Sequence, residues 1–259
     1  MELVDRVAVV AGVAGAIGAA VARRFVAEGA RVVLGDAEED ALTRIHEDLR
    51  RTAEAVDGLH VDFTSESQVS ALIEYALARC GRIDVLVNAM GMADGPPWDE
   101  PGAVAWERRV RNLTGCLLCC QAVAPHMRAR GRGRIVNVAA SAGRYRSSYF
   151  PREDVAGTGV PYAATSGGVL ALTRELALEL GPHGVTVNAV VPGWILTARS
   201  EREWERLPER VRRDLLAEIS LGRPGRPEEV AGAVLFLASD ASSYVSGTAI
   251  DVNGGWWMS

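Results

Sequence analysis

Short, β-branched apolar runs alternate with helix-patterned stretches along the whole chain, and that alternation constrains the fold more than any other feature. The runs are Val7-Ala8-Val9-Val10 (within Arg6–Ala11), Arg31-Val32-Val33-Leu34, Leu59-His60-Val61, Val85-Leu86-Val87, Arg134–Val138, Thr186–Val190 and Thr248–Val252. Continuous apolar runs of this length read as strands buried on both faces. Between them, helical spacing predicts helices over Ala16–Glu28, Glu66–Cys80, Trp106–Ala129, Ala163–Leu180 and Pro227–Leu237. Strand–helix alternation predicts an α/β fold, a doubly wound parallel sheet of Rossmann type with helices on both faces. No repeat or linker divides the 259 residues, so one domain over 1–259 is expected.

Two segments interrupt the rhythm. An inserted loop at about 144–161 is polar and aromatic with Gly and Pro, and it runs up to Tyr162. A second segment, about 197–222, places Trp204, Leu207, Val211, Leu215 and Leu216 near helical spacing, which predicts one or two short amphipathic lid helices. Both follow strand ends, so both are expected over the crevice at the carboxyl edge of the sheet.

Val10-Ala11-Gly12-Val13-Ala14-Gly15-Ala16-Ile17-Gly18 closes the first strand and opens the first helix. Glycines there let the backbone approach a pyrophosphate, and the helix amino terminus adds unpaired amides and partial positive charge. Asp36 ends the second strand, 18 residues after Gly18. A carboxylate at that point accepts both adenosine ribose hydroxyls and repels a 2′-phosphate, which favours NAD(H) over NADP(H). A plain tight turn and an exposed turn aspartate are the structural alternatives for these two features.

Other chemistry is disfavoured. Net charge −5 and a pI near 5.5 argue against nucleic-acid or anionic-membrane surfaces. No apolar run reaches the roughly 20 residues of a membrane span, and a strand begins too early for a signal peptide, so a cytoplasmic location is expected. Cys116, Cys119 and Cys120 lie in an apolar helical stretch and read as small buried residues, not as metal ligands. His46, His60, His126 and His183 are scattered, so no metal site is expected.

With these motifs in place, the chain resembles the short-chain dehydrogenase/reductase family from about Leu3 to Trp257. The Gly12–Gly18 turn is similar to the family's glycine motif, and Asp62-Phe63 to the pair beside adenine. Asn88-Ala89-Met90-Gly91 sits where the family has Asn-Asn-Ala-Gly, and Asn112 matches its helical asparagine. Pro192-Gly193-Trp194-Ile195-Leu196-Thr197 resembles the segment that holds the nicotinamide amide. The stretch from Gly222-Arg223-Pro224-Gly225 through Ser246-Gly247-Thr248 to Asn253-Gly254-Gly255 resembles the C-terminal signature. The resemblance implies cofactor contacts from Gly12, Gly15, Ile17, Gly18, Asp36, Asp62, Phe63, Asn88, Gly91, Pro192, Gly193, Ile195 and Thr197. It also implies a small-molecule carbonyl or alcohol substrate and a homodimer or homotetramer.

The catalytic positions depart from the family. Tyr162 stands where the proton-transfer tyrosine belongs, but Ser166 occupies the position of the lysine four residues on. All 28 basic residues are arginine, so no lysine elsewhere can stand in. A neighbouring cation favours phenolate, and without one a tyrosine is a poor base at neutral pH. Ala140 falls at the serine position, with Ser141 one residue late; on a strand Ser141 points away unless a loop irregularity turns it back. Tyr162, Asn112, Ser141 and Ser166 are therefore the catalytic candidates. Arg144, Tyr145, Arg146, Tyr149, Trp194 and Trp204 are candidate contacts to an aromatic or polycyclic substrate, with loop and lid packing as the alternative. Three activities fit these residues: NAD(H)-dependent oxidoreduction with altered proton-transfer groups, a non-redox cyclase, dehydratase or isomerase using Tyr162, and a silent nucleotide-binding partner.

Overall fold

The computed structural model describes residues 1–91, 103–145 and 159–258. Seven parallel strands form one sheet in the order β3-β2-β1-β4-β5-β6-β7. They are β1 Val7–Ala11, β2 Arg31–Asp36, β3 Val56–His60, β4 Val85–Asn88, β5 Gly133–Val138, β6 Val185–Pro192 and β7 Ala249–Val252. The helices are α1 Ala16–Ala27, α2 Glu39–Arg50, α3 Glu66–Cys80, α4 Ala103–Arg130, α5 Gly159–Leu180, α6 Ala198–Arg206, α7 Glu209–Glu218 and α8 Pro227–Ala238. The expected Rossmann-type sheet is therefore present.

The pleat of β1 shows how the two layers are built. Ala8 and Val10 pack with Val21 and Phe25 of α1 and Val230 and Val234 of α8. Val9 and Ala11 face the other way, into Leu72 and Ile73 of α3 and Cys116 and Cys120 of α4. Both faces exclude water, which is why the strands read as unbroken apolar runs instead of alternating ones. Burying a side chain such as Phe25 contributes about 2–3 kcal/mol.

Three differences from the sequence expectations have local causes. β3 runs over Val56–His60 rather than Leu59–Val61, because Val32 to Asp36 of β2 pair with Val56 to His60. α2 was not expected; its charged sequence hides one apolar stripe, Leu42, Ile45 and Leu49, which is buried against β2 and β3. α5 begins at Gly159, one turn earlier than expected, with Pro161 in its first turn, where a missing amide costs nothing. The lid segment forms two helices, α6 and α7.

The sheet order reverses between β1 and β4. Above that switch point the carboxyl ends of the strands open a crevice, and the glycine turn, the start of α5 and α6 all border it.

Candidate active site

The glycine turn is forced by close backbone approach. Gly12 has φ +93°, and a Cβ there would lie 2.7 Å from the Ala89 carbonyl and the Met90 nitrogen. A Cβ on Gly18 would overlap the Gly12 carbonyl oxygen, so Gly18 is buried inside the turn. Gly15 caps α1 without a side-chain hydrogen bond, and no acidic residue occupies the first turn of that helix. The α1 amino terminus is thus open to an anion.

Asp36 is 6% exposed, and its carboxylate is already engaged with the turn. Its Oδ2 accepts the Ala14 amide at 2.7 Å, and its Oδ1 accepts the Glu38 amide at 2.9 Å. Each oxygen retains a second acceptor direction for a hydroxyl. Asp36, Asp62, Phe63, Gly12 and Gly15 line a cavity of about 400 Å³. Hydrogen bonds from the Thr64 amide and hydroxyl, with a further contribution from Arg111, hold the Asp62 carboxyl below its usual range.

A second cavity of about 610 Å³ adjoins the first, and Ala14, Gly15, Met90, Gly91 and Asn112 border both. Its wall brings together Ile17, Ser141, Tyr162, Ser166, Pro192, Gly193, Ile195 and Thr197. Tyr162 and Ser166 lie one turn apart on α5, so helical spacing aims them at the same space. Ser141 reaches it by a different route. The chain is extended at Ala140 and then tightens into a 3-10 turn over Ser141–Gly143. That turn sets Ser141 beside Ala140 on the cavity wall, the irregularity a strand would not have supplied. Gly143 packs so closely on α5 that a Cβ would fall 2.7 Å from the Ser166 Cβ. The Asn112 Oδ1 is buried and has no hydrogen-bond partner among the described residues.

Thr197 caps α6: its Oγ1 accepts the Ser200 amide at 3.2 Å, and the Ser200 Oγ accepts the Thr197 amide at 2.7 Å. This reciprocal box fixes where α6 starts over the cavity.

Several residues singled out in the sequence lie elsewhere. Asn88 is buried below the crevice, donating to the Asn137 Oδ1 at 2.9 Å and to the Cys120 sulfur, so it ties β4 to β5 and α4. Arg144 is drawn to the sheet edge by Asp251, at 2.9 Å, and the Tyr145 hydroxyl donates to the same carboxylate at 3.0 Å. Tyr145 also stacks on Trp257. Trp194 packs on Trp204, with ring centroids 4.5 Å apart, in a lid core that includes Ile219 and Trp256. None of Arg144, Tyr145, Trp194 and Trp204 lines the 610 Å³ cavity, because ion pairing and apolar burial take them first. Arg146 and Tyr149 lie outside the described residues. The three α4 cysteines are buried free thiols. A shared hydrogen bond with Cys120 and burial push the Cys116 thiol up, and burial does the same to Cys119.

Sequence reasoning missed two cations. Arg111 borders the smaller cavity and Arg202 the larger. Arg202 is four residues after Ala198, which also lines that cavity, so the helical period of α6 was the available signal.

A doubly wound sheet with this strand order, a strained glycine turn at its switch point and an acidic residue ending β2 defines a dinucleotide-binding α/β protein. Residues 12–257 match the family model described as "Enoyl-(Acyl carrier protein) reductase". The chain is 36% identical over 256 residues to the 3-oxoacyl-[acyl-carrier-protein] reductase FabG of Thermotoga maritima, covering 98% of this chain and 99% of that one. It is 40% identical over 257 residues to the cis-4-hydroxycyclohexanecarboxylate dehydrogenase of Sinomonas cyclohexanicum, covering 97% and 96%. The crystal structure of levodione reductase superposes with a TM-score of 0.85 at 30% identity, covering 98% of each chain. The chain belongs to the short-chain dehydrogenase/reductase family and is an oxidoreductase of that family. Members bind nicotinamide cofactors, and the glycine cradle, the open α1 terminus and the two joined cavities fit such a group. No helix among the described residues is long and apolar enough to cross a membrane.

Proposed function

We propose that this oxidoreductase uses NAD(H) to interconvert a carbonyl and an alcohol on a small metabolite, with Tyr162 as the acid/base and without the family's lysine. One observation carries the reading: Tyr162 and Ser141 share a cavity wall with the glycine turn and the Pro192–Thr197 segment. A bound nicotinamide there would supply or accept the hydride.

The chain's own groups would do the rest. Tyr162 holds or takes the proton at the substrate oxygen, and the Ser141 hydroxyl donates to that oxygen in place of the residue lost at Ala140. Ser166 and the Asn112 carbonyl give the proton a polar path away from Tyr162. Asp36, with spare acceptor directions on both oxygens, selects ribose hydroxyls over a 2′-phosphate. A cyclic or aromatic substrate suits a wall rich in Met90, Val138, Val169 and Ile195, and the related dehydrogenase named for a hydroxycyclohexanecarboxylate is in keeping with it. We propose further that the chain works in the cytoplasm as a homodimer or homotetramer, with no nucleic-acid or membrane partner.

Fluorescence titration with NADH and NADPH tests the cofactor, and a panel of cyclic ketones and aromatic aldehydes tests the reaction. Tight NADH binding with slow, Tyr162-dependent reduction is expected. Absence of NADH binding would overturn the reading.

A further inference from the structure

The charge of the larger cavity is one-sided. Its described lining holds the Arg202 guanidinium and no carboxylate; every other described residue on the wall is neutral. Arg202 makes no ion pair among the described residues, although α6 also carries Glu201 and Glu205. Those two border a separate lid cavity with Trp204 and Leu216. Ala198 and Arg202, one turn apart, border the crevice, whereas the two acids border the lid cavity and not the crevice.

A guanidinium has a planar fork of donors that matches a carboxylate, and it stays charged at any physiological pH. Its position is set by the Thr197–Ser200 box, which fixes the start of α6. We infer that the substrate carries a carboxylate, and that Arg202 binds it on the lid side while the reacting carbon faces Tyr162. Arg202 is thus a specificity-determining residue. Arg202 is exposed, so a neutral substrate would leave it to water and gain nothing from it, and a cationic one would be repelled. This inference rests on the cavity being the substrate site.

The test is a matched pair of probes, 4-formylbenzoate and methyl 4-formylbenzoate, titrated calorimetrically into the full-length protein saturated with NAD⁺, a state in which the aldehyde cannot be reduced. The free acid is expected to bind about tenfold more tightly than the ester. Arg202→Gln should abolish that preference, and Arg202→Lys should keep part of it. Thermal melts of both variants establish that they are folded. Equal binding of acid and ester, binding of neither, or a preference that survives Arg202→Gln would overturn the inference. A separate NAD⁺ titration reads the cofactor assignment, so failure of that assignment has its own signature.

Discussion

Replacing Asp36 with alanine removes one carboxylate that serves two structures at once, and the two losses have separate readouts. The first is the turn. Asp36 holds the Ala14 and Glu38 amides at 2.7 and 2.9 Å. Hydrogen bonds to a charged acceptor contribute about 1.5–3 kcal/mol each when buried. Ala14 and Glu38 are exposed, so water replaces part of this, leaving a net cost of about 2 kcal/mol. For a chain of this size that lowers Tm by about 4–8 °C. The second loss is the cofactor. Two charge-assisted bonds to ribose hydroxyls amount to about 3 kcal/mol, so the Kd for NADH should rise about 100-fold. NADPH affinity should improve relative to NADH because the repulsion is gone. Fluorescence titration with both nucleotides and a thermal melt measure all three quantities. Asp36→Asn, which keeps one acceptor, should fall between. If Asp36→Ala holds NADH within about threefold of the wild-type affinity and still excludes NADPH, Asp36 does not read the ribose.

Three further outcomes follow from the geometry. Ser166→Lys puts a cation one turn from Tyr162, so carbonyl reduction should speed up at least about tenfold and the alkaline limb of the pH–kcat profile should move down; unchanged kinetics would mean that the lysine is not what the site lacks. Gly12→Val forces a branched side chain onto φ +93° and into the Ala89–Met90 backbone, costing about 3 kcal/mol or more and abolishing NADH binding; a variant that melts and binds like the wild type would refute the account of the turn. Glu229 is held down to about 2 by the Arg223 guanidinium and the Arg226 amide. Because the folded value is depressed, its contribution is complete above the ordinary glutamate value of 4.5 and drains away as pH falls toward 2. The stability gap between wild type and Glu229→Gln in urea melts should therefore be constant near neutrality and close in that acid window, and a gap that persists below it would contradict the assignment.

The strands and the turn were legible because they depend on local pattern. β1 must be apolar on both faces, and Gly12 must be glycine to pass Ala89. Asp36 was readable from its distance to the turn, since β2 lies beside β1 in this sheet. α2 was hidden because charged residues outnumber its three buried ones. Arg144 could not be assigned from sequence: its partner Asp251 is 107 residues away and meets it only once β7 is in place. The route of Ser141 into the cavity depends on a single 3-10 turn, which no composition signal marks. Arg202 was legible in principle, but only after Thr197 was known to start α6.

Hydride transfer with Tyr162 as the acid and no lysine beside it is the reaction proposed for this site. It is tested most directly by incubating the protein with NADH deuterated at nicotinamide C4 and the panel of cyclic ketones and aromatic aldehydes, then weighing the alcohols by mass spectrometry. One deuterium is expected on the carbinol carbon, formed about 10²- to 10⁴-fold more slowly by Tyr162→Phe. NADH bound tightly with no deuterium transferred to any member, or transfer at an undiminished rate by Tyr162→Phe, would contradict it.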